Sequence, residues 1–303
     1  MDLAQIISIA SIPSPSNGIW HLGPFPLRAY AMALLSAIIV SSWWAGRRWV
    51  QKGGQEGQIF DLSLWAVPAG IIGARIYHVI SSPNHFFGEG GDPMAAFRIW
   101  EGGLGIWGAI GGGLFGAWLG ARQMGMSFPA VTDTAGPVLL LAQVIGRLGN
   151  WFNQELFGGP TDLPWALEVS DRTAMRAGYE PGTTFHPTFL YEMLWNLPCI
   201  VILLWLEKRY RLAHGQVFWA YVMLYTSGRL WIEMMRIDTA NLILGVRVNV
   251  WVSIGVFLIA LVSFAISRRR HNPDNDVPPN AAPGTIQLAT PQSTPSTEPT
   301  ATA

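Results

Sequence analysis

The 303 residues are half hydrophobic and only 13% charged, with 19 basic and 19 acidic side chains and a mean hydropathy of +0.29. Soluble domains carry roughly 25% charged residues, so a water-soluble fold would struggle to cover itself, and zero net charge leaves no field for holding nucleic acid. The single cysteine, Cys199 in an apolar run, excludes an intrachain disulfide framework or thiolate metal site and reads as a small core residue.

Residues 1–27 lack the basic start and clean apolar run of a cleaved signal peptide and read as an extracytoplasmic arm. A membrane span needs about 20 mainly apolar residues. Seven stretches qualify in turn: 28–48, 59–80, 103–122, 128–149, 187–206, 213–232 and 248–267. They predict an all-α polytopic membrane protein of about seven transmembrane helices, forming one domain over 28–267. Glycine-rich runs such as GGLGIWGAIGGGLFGAWLG suit lipid, where small residues allow close helix approach. From residue 268 the composition turns to Pro, Thr and Asn without apolar periodicity, which predicts a disordered cytoplasmic tail over 268–303.

Loop charge sets the orientation. Arg47, Arg48 and Lys52 follow the first span, Arg122 the third, Lys208, Arg209 and Arg211 the fifth, and Arg268, Arg269 and Arg270 the seventh. All fall on one side, which predicts an outer N-terminus and a cytoplasmic C-terminus. Residues 150–186, between spans four and five, then form a small extracytoplasmic head.

With that orientation the polar residues inside the spans gather at their outer ends: Arg28 and Tyr30, then Arg75, Tyr77 and His78, Glu101, Arg147 and Asn150, His186, Tyr191 and Glu192, and Tyr225, Arg229 and Glu233. Charges in a bilayer are costly, roughly 2.5–3.5 kcal/mol each on insertion scales, and usually functional. Two partners offset an outer arginine. One is a carboxylate of the chain, as in the i,i+4 pair Arg229 and Glu233. The other is a bound anion, and the guanidinium fork matches the oxygens of a phospholipid phosphate. The two readings are compatible.

The densest polar segment is GRLGNWFNQELFGG, residues 146–159. Gly146 and Gly149 permit close approach, Arg147 and Asn150 share a face, and Asn153 and Glu155 extend the polar surface; the bland alternative is a capped helix end. HPTFLYE, residues 186–192, opens span five with Pro187 at a favoured first-turn position. No HExxH, P-loop, GxSxG or histidine–carboxylate cluster at metal-ligand spacing occurs, so the expectation is chemistry by positioning and electrostatics, with no metal and no soluble cofactor.

These motifs resemble the prolipoprotein diacylglyceryl transferases. GRLGNWFNQELFG is similar to that family's signature, with Trp151 for the usual Phe, and PLRAY, GARIYHV, WEGGLGIWGAIGG, HPTFLYE and YTSGRLWIEMMR follow in the family's order. The resemblance implies a multi-pass enzyme of the bacterial inner membrane. It would move the diacylglyceryl group of phosphatidylglycerol onto the lipobox cysteine thiol of a prolipoprotein signal peptide, releasing glycerol phosphate. Carried over by motif, Arg147 and Arg229 are the essential pair, and Tyr30 and Tyr225 are supporting donors. Asn150, Asn153, Glu155, Gly158, Arg75, Glu233, His186 and Tyr191 are expected on the substrate. Many members carry a histidine in the glycine-rich segment of span three, proposed as general base, where this chain has Trp107. The base then falls to Glu101, His78, His186 or Glu233, or arginine lowers the thiol pKa and no residue base is needed. Nothing demands more than a monomer. The competing reading from the polar residues is a transporter or channel for an anionic solute, and a lipid-binding scaffold is a third.

Overall fold

The computed structural model describes residues 11–23, 25–88 and 90–270; residues 1–10 of the expected arm and 271–303 of the expected tail lie outside the described residues. In chain order the elements are strands β1 (Ile12–Pro13), β2 (Ile19–Leu22) and β3 (Phe25–Arg28), helices α1 (Ala29–Gln51), α2 (Gln58–Ser81), α3 (Ile106–Gln123) and α4 (Phe128–Asn153), strands β4 (Leu167–Glu168) and β5 (Thr184–Phe185), helices α5 (Thr188–Tyr210) and α6 (Gln216–Met235), strands β6 (Leu242–Ile243) and β7 (Val246–Arg247), and helix α7 (Val248–Arg270). Short helical turns occupy Pro83–Phe87, Pro93–Phe97, Ile99–Glu101 and Asp171–Arg176.

Five helices, α1, α2, α4, α5 and α7, are long and apolar enough to cross a membrane. Composition marks the other two less strongly. α3 has 18 residues, many of them glycine, and α6 carries Gln216, Arg229 and Glu233 among its 20. The helices present apolar side chains outward, with Leu35, Ile39, Phe60, Ile72 and Val201 all more than half exposed. That pattern is stable where lipid is the solvent, because helices satisfy their own backbone polar groups. α7 continues through Arg268, Arg269 and Arg270, three residues past the expected boundary. Arginines at a helix C-terminus complement its dipole, and their stems extend to reach water.

Helix α4 is the hub. Of its most apolar stretch 44% is buried, against 17% for α1 and α7, and it packs on α1, α5 and α6. Leu140 on α4, Cys199 and Leu203 on α5, and Val217 and Tyr221 on α6 form one apolar cluster, so Cys199 is a core residue as expected. A second cluster, with Trp49, Ile59, Leu62, Ala121 and Val131, joins α1, α2, α3 and α4 where the first and third end and the second and fourth begin. There Glu207 pairs with Arg48 at 2.8 Å and Lys52 at 2.5 Å.

α2 and α3 form the tightest helix pair. A Cβ added to Gly73 would stand 2.3 Å from the carbonyl oxygen of Gly108, so the two backbones meet there with no room for a side chain. The glycine-rich run read from sequence as a packing surface is this contact.

The chain is mostly helical, and the wholly helical expectation is corrected by short strands outside the bundle. β4 pairs parallel with β1 and antiparallel with β5, tying the N-terminal segment to the region between α4 and α5. Phe157, Leu167, Ala174, Phe185 and Phe189 form a small core there, with the Phe157 and Phe185 rings 4.6 Å apart. Two-residue strands carry no measurable alternation, so periodicity has nothing to detect.

The α2–α3 contact predicts that Gly73→Val destabilises the protein by about 1–3 kcal/mol, the usual cost of overpacking. Gly111→Ala, where an added Cβ meets nothing within 4 Å, should leave stability unchanged. Thermal unfolding of the two variants in detergent measures the difference, and equal midpoints would contradict the packing.

Candidate active site

The C-terminal ends of α4 and α6 and the N-terminal ends of α5 and α7 carry a continuous row of charged and amide side chains. Its centre is Glu192 in the first turns of α5, 3% exposed. Arg147 in the last turns of α4 donates to it, with Nη2 2.7 Å from Oε1 and 2.6 Å from Oε2. Arg229 on α6 approaches from the other side, with Nη1 3.5 Å from Oε2. One buried carboxylate thus holds two guanidinium groups. Tyr225, one turn before Arg229, stands among Glu192, Arg229 and Arg147.

From Arg229 the row runs outward. Its Nη2 pairs with Glu233 at 2.6 Å, the i,i+4 pair expected from sequence. Glu233 is fully buried and accepts further bonds from Arg247 Nε at 2.8 Å and Asn249 Nδ2 at 3.0 Å, with Arg236 Nη1 at 3.4 Å. Arg236 and Arg247 both grip Asp238, at 2.7 Å and 3.0 Å, which pins the β6–β7 hairpin to the end of α6. Asp238 and Arg247 lie outside the helices. Burial works to raise the Asp238 carboxyl, and the bonds and charges of Arg236 and Arg247 outweigh it, holding it below the usual carboxylate range. Burial works to lower Arg247, and Glu233 and Asp238 outweigh that, raising it further.

In the other direction Arg147 Nη1 donates to Asn150 Oδ1 at 2.9 Å, and Asn150 Nδ2 donates to Glu155 Oε1 at 2.7 Å. Asn153 Nδ2 reaches the same oxygen at 3.2 Å. The flanking residues Gln154 (φ 52°) and Leu156 (φ 61°) are both left-handed, a conformation that costs about 1–2 kcal/mol for a residue with a Cβ. Tertiary bonds hold them. Gln154 Nε2 donates to Pro15 O at 3.1 Å, Gln154 Oε1 accepts from Ser170 N at 2.8 Å, and Thr188 Oγ1 donates to Leu156 O.

Glycines set the approach of the elements. Tyr30, at the start of α1, lies on Gly149, where a Cβ would come within 2.5 Å of the ring; both Glu155 and Arg147 act on its hydroxyl. Gly158 is pressed between His186 and Met235 and donates its N–H to His186 O at 2.9 Å. Gly146, also read as a close-approach residue, has room for a side chain, since only Leu34 comes as near as 4.0 Å.

Of the site residues expected from sequence, the structure joins Arg147, Asn150, Asn153, Glu155, Arg229 and Glu233 in one row with Tyr30 and Tyr225 beside it. His186 and Tyr191 form a separate pair, Nδ1 to hydroxyl 3.0 Å, with Trp165 Nε1 donating to Tyr191 at 3.1 Å. Arg75 lies elsewhere. Its guanidinium donates to the carbonyls of Ala96 at 2.8 Å, Gly102 at 2.6 Å and Gly103 at 2.9 Å, and also to Ala95, folding the loop between α2 and α3 around itself. His78 packs edge-on to Phe86 in the same loop. The side chain of Glu101 lies outside the described residues.

Two groups in or beside the row carried little sequence signal. Arg247 lies in the β6–β7 hairpin and Asn249 in the first turn of α7, and neither belongs to a motif. One turn inward from Arg147, Glu192 and Tyr225 lies a second polar layer: Gln143 Nε2 donates to Tyr221 OH at 3.0 Å, and Asn196 Nδ2 stands 3.5 Å from Gln143.

Arg147, Arg229, Arg236 and Arg247 face Glu155, Glu192, Glu233 and Asp238, so the row is formally neutral. Its accessibility is asymmetric. The side chains of Arg147 and Arg229 remain 17% and 18% exposed, while those of Glu192 and Glu233 are 3% and 0% exposed. At these two positions the guanidinium groups are the more accessible partners, with the Glu192 and Glu233 carboxylates behind them.

The family model described as prolipoprotein diacylglyceryl transferase matches residues 17–266. Relatives named phosphatidylglycerol–prolipoprotein diacylglyceryl transferase include one from Streptomyces coelicolor, 51% identical over 265 residues, which span 88% of this chain and 83% of the relative. One from Frankia alni is 52% identical over 279 residues, 92% of this chain and 73% of the relative. One from Rhodococcus jostii is 47% identical over 287 residues, 91% and 80% of the two chains.

Two outcomes follow from the charge row. Glu192→Gln leaves Arg147 without its carboxylate and Arg229 with Glu233 alone, and should cost about 3–5 kcal/mol, as for other buried pairs broken on one side, read as a lower unfolding midpoint in detergent. The Asp238 contribution is complete above the ordinary aspartate value of about 3.9 and is lost as pH falls through its lowered folded value. Acid titration of the midpoint should therefore separate wild type from Asp238→Asn at neutral pH and bring them together in acid.

Proposed function

Because this chain belongs to the prolipoprotein diacylglyceryl transferase family, we propose that it moves the diacylglyceryl group of phosphatidylglycerol onto the lipobox cysteine thiol of a prolipoprotein. The product is a thioether, and glycerol phosphate leaves. The observation that carries this is the partly accessible pair Arg147 and Arg229 on a shared, buried Glu192. Two anionic species have to be managed at one point, the thiolate that attacks and the phosphate that departs. Two guanidinium groups held side by side suit that task, because preorganised charge needs no rearrangement as the transition state forms.

In this reading Arg147 holds the headgroup phosphate and Arg229 stabilises the leaving group or the thiolate. Tyr30 and Tyr225 are neighbouring donors, and Asn150 sets the Arg147 fork. The nucleophile belongs to the protein substrate, which leaves Cys199 a packing role. The chain spans the bacterial cytoplasmic membrane seven times, α3 and α6 being the two spans that composition marks weakly, with the N-terminus outside, the region 150–186 as an extracytoplasmic head and the C-terminus in the cytoplasm. The basic inner ends of α1, α3, α5 and α7 support that orientation. A solute transporter is not favoured, since the polar groups gather at one end of the bundle and midplane sites are the rule in transporters.

Purified protein supplied with phosphatidylglycerol and a lipobox peptide should yield a diacylglyceryl thioether, detected by mass spectrometry. Arg147→Ala and Arg229→Ala should each lower the rate by at least about 100-fold, the scale of losing one preorganised donor, while the proteins remain folded. Wild-type rates in either variant would remove that arginine from the site, and no product from wild type would end the transferase reading.

A further inference from the structure

Four carboxylates serve the charge row, and three of them are neutralised by arginine. Glu192 holds Arg147 and Arg229. Glu233 holds Arg229, Arg236 and Arg247, and Asp238 holds Arg236 and Arg247. Glu155 differs. Its side-chain partners among the described residues are two neutral amides, Asn150 and Asn153, and both donate to Oε1. Among the described residues no side chain donates to Oε2.

The placement of Glu155 is also specific. Asn150 offers its oxygen to Arg147 and its nitrogen to Glu155, so one amide holds a cation and a base on its two sides. The residues before and after Glu155 are both left-handed and are fixed by Pro15, Ser170 and Thr188. Non-glycine residues held in that conformation cluster at functional sites. The charged and titratable groups around Glu155 are Arg147 on α4 and Tyr30 on α1, then Glu192 on α5 beyond Arg147, and His186, whose backbone pairs with Gly158.

We propose that Glu155 is the general base that takes the proton from the lipobox thiol. This deepens the transferase reading and rests on it. Oε2 accepts the S–H proton as the sulfur electron pair forms the S–C bond to the glycerol carbon. The C–O bond to phosphate breaks, its electron pair leaves on the phosphate oxygen, and Glu155 then returns the proton to water or to the departing phosphate. Arg147, across Asn150, faces the negative charge that develops. The other candidates are less available. Glu233 is saturated by donors, His186 Nδ1 is engaged with Tyr191, and His78 lies on α2 beside Arg75, against Gly103 of the loop that follows.

The test compares wild type with Glu155→Gln, whose amide oxygen still accepts from Asn150 and Asn153. Full-length protein with phosphatidylglycerol is given a lipobox peptide containing cysteine, or the same peptide containing selenocysteine, whose selenol is already ionised at neutral pH. With cysteine at neutral pH, kcat of the variant should fall about 100-fold or more, the scale of general-base catalysis, with KM nearly unchanged. That deficit should close as pH rises through the model thiol value of about 8.5. With selenocysteine, variant and wild type should react at similar rates. Equal losses on both peptides at every pH would make Glu155 a structural residue and overturn the proposal, as would wild-type rates in the variant. If Glu155→Gln does not fold, Glu155→Asp replaces it, with a loss on cysteine only expected and a proportionate loss on both peptides overturning. Failure of wild type to form any thioether would instead strike the transferase reading beneath it.

Discussion

Glu192 is the interaction on which the rest of the molecule depends. A lone carboxylate at 3% exposure among membrane helices would be severely destabilising, since burial removes its hydration and leaves the charge uncompensated. Arg147 and Arg229 compensate it from two different helices. The register of α4, α5 and α6 is therefore tied to one atom group, and any sliding between these helices exposes a buried charge. The apolar cluster of Leu140, Cys199, Leu203 and Val217 beneath sets how closely the helices approach, and the ion pairs set which turn faces which.

The same arrangement separates stability from chemistry. Glu192 and Glu233 sit behind Arg147 and Arg229 and neutralise them without covering them, so both guanidinium groups keep part of their surface open. Arg236, Arg247 and Asp238 extend the row into the β6–β7 hairpin and fasten that loop to α6. At the opposite end the charged bonds give way to amides at Asn150 and Asn153, which hold the carboxylate of Glu155. Two strained backbone positions on either side of Glu155 show that this end is specified by tertiary contacts, because nothing local favours them.

Much of this was legible in the residues. Hydropathy located the long helices within a few positions, the glycine run in span three anticipated the contact of α2 with α3, and the motif around residues 146–159 picked out Arg147, Asn150, Asn153 and Glu155. The two partners foreseen for the outer arginines, carboxylate and anion, are compatible in the geometry: each guanidinium of the row is paired, and Arg147 and Arg229 retain exposed surface. Arg75 is the instructive contrast. By residue type and depth it resembles Arg147, yet it is spent on the carbonyls of Ala95, Ala96, Gly102 and Gly103. Which acceptor an arginine finds depends on how the following loop returns, and no spacing rule encodes that path.

The sequence by itself determined that the chain lies in a membrane, where its helices run, that arginine gathers at one end, and which family it resembles. These are properties of composition and of order along the chain, summed over many residues, and they survive any error in packing. Only the tertiary structure decided that Glu192 would serve two arginines, that Arg247 and Asn249 would join Glu233 from a distant segment, that short strands would bind the N-terminal segment to the region beyond α4, and that among the described residues Glu155 would be held by the amides of Asn150 and Asn153. Each of these turns on distances of a few ångströms between residues far apart in the chain. At that range electrostatics and hydrogen bonding change steeply with position, and a one-dimensional order of residues carries no such coordinates.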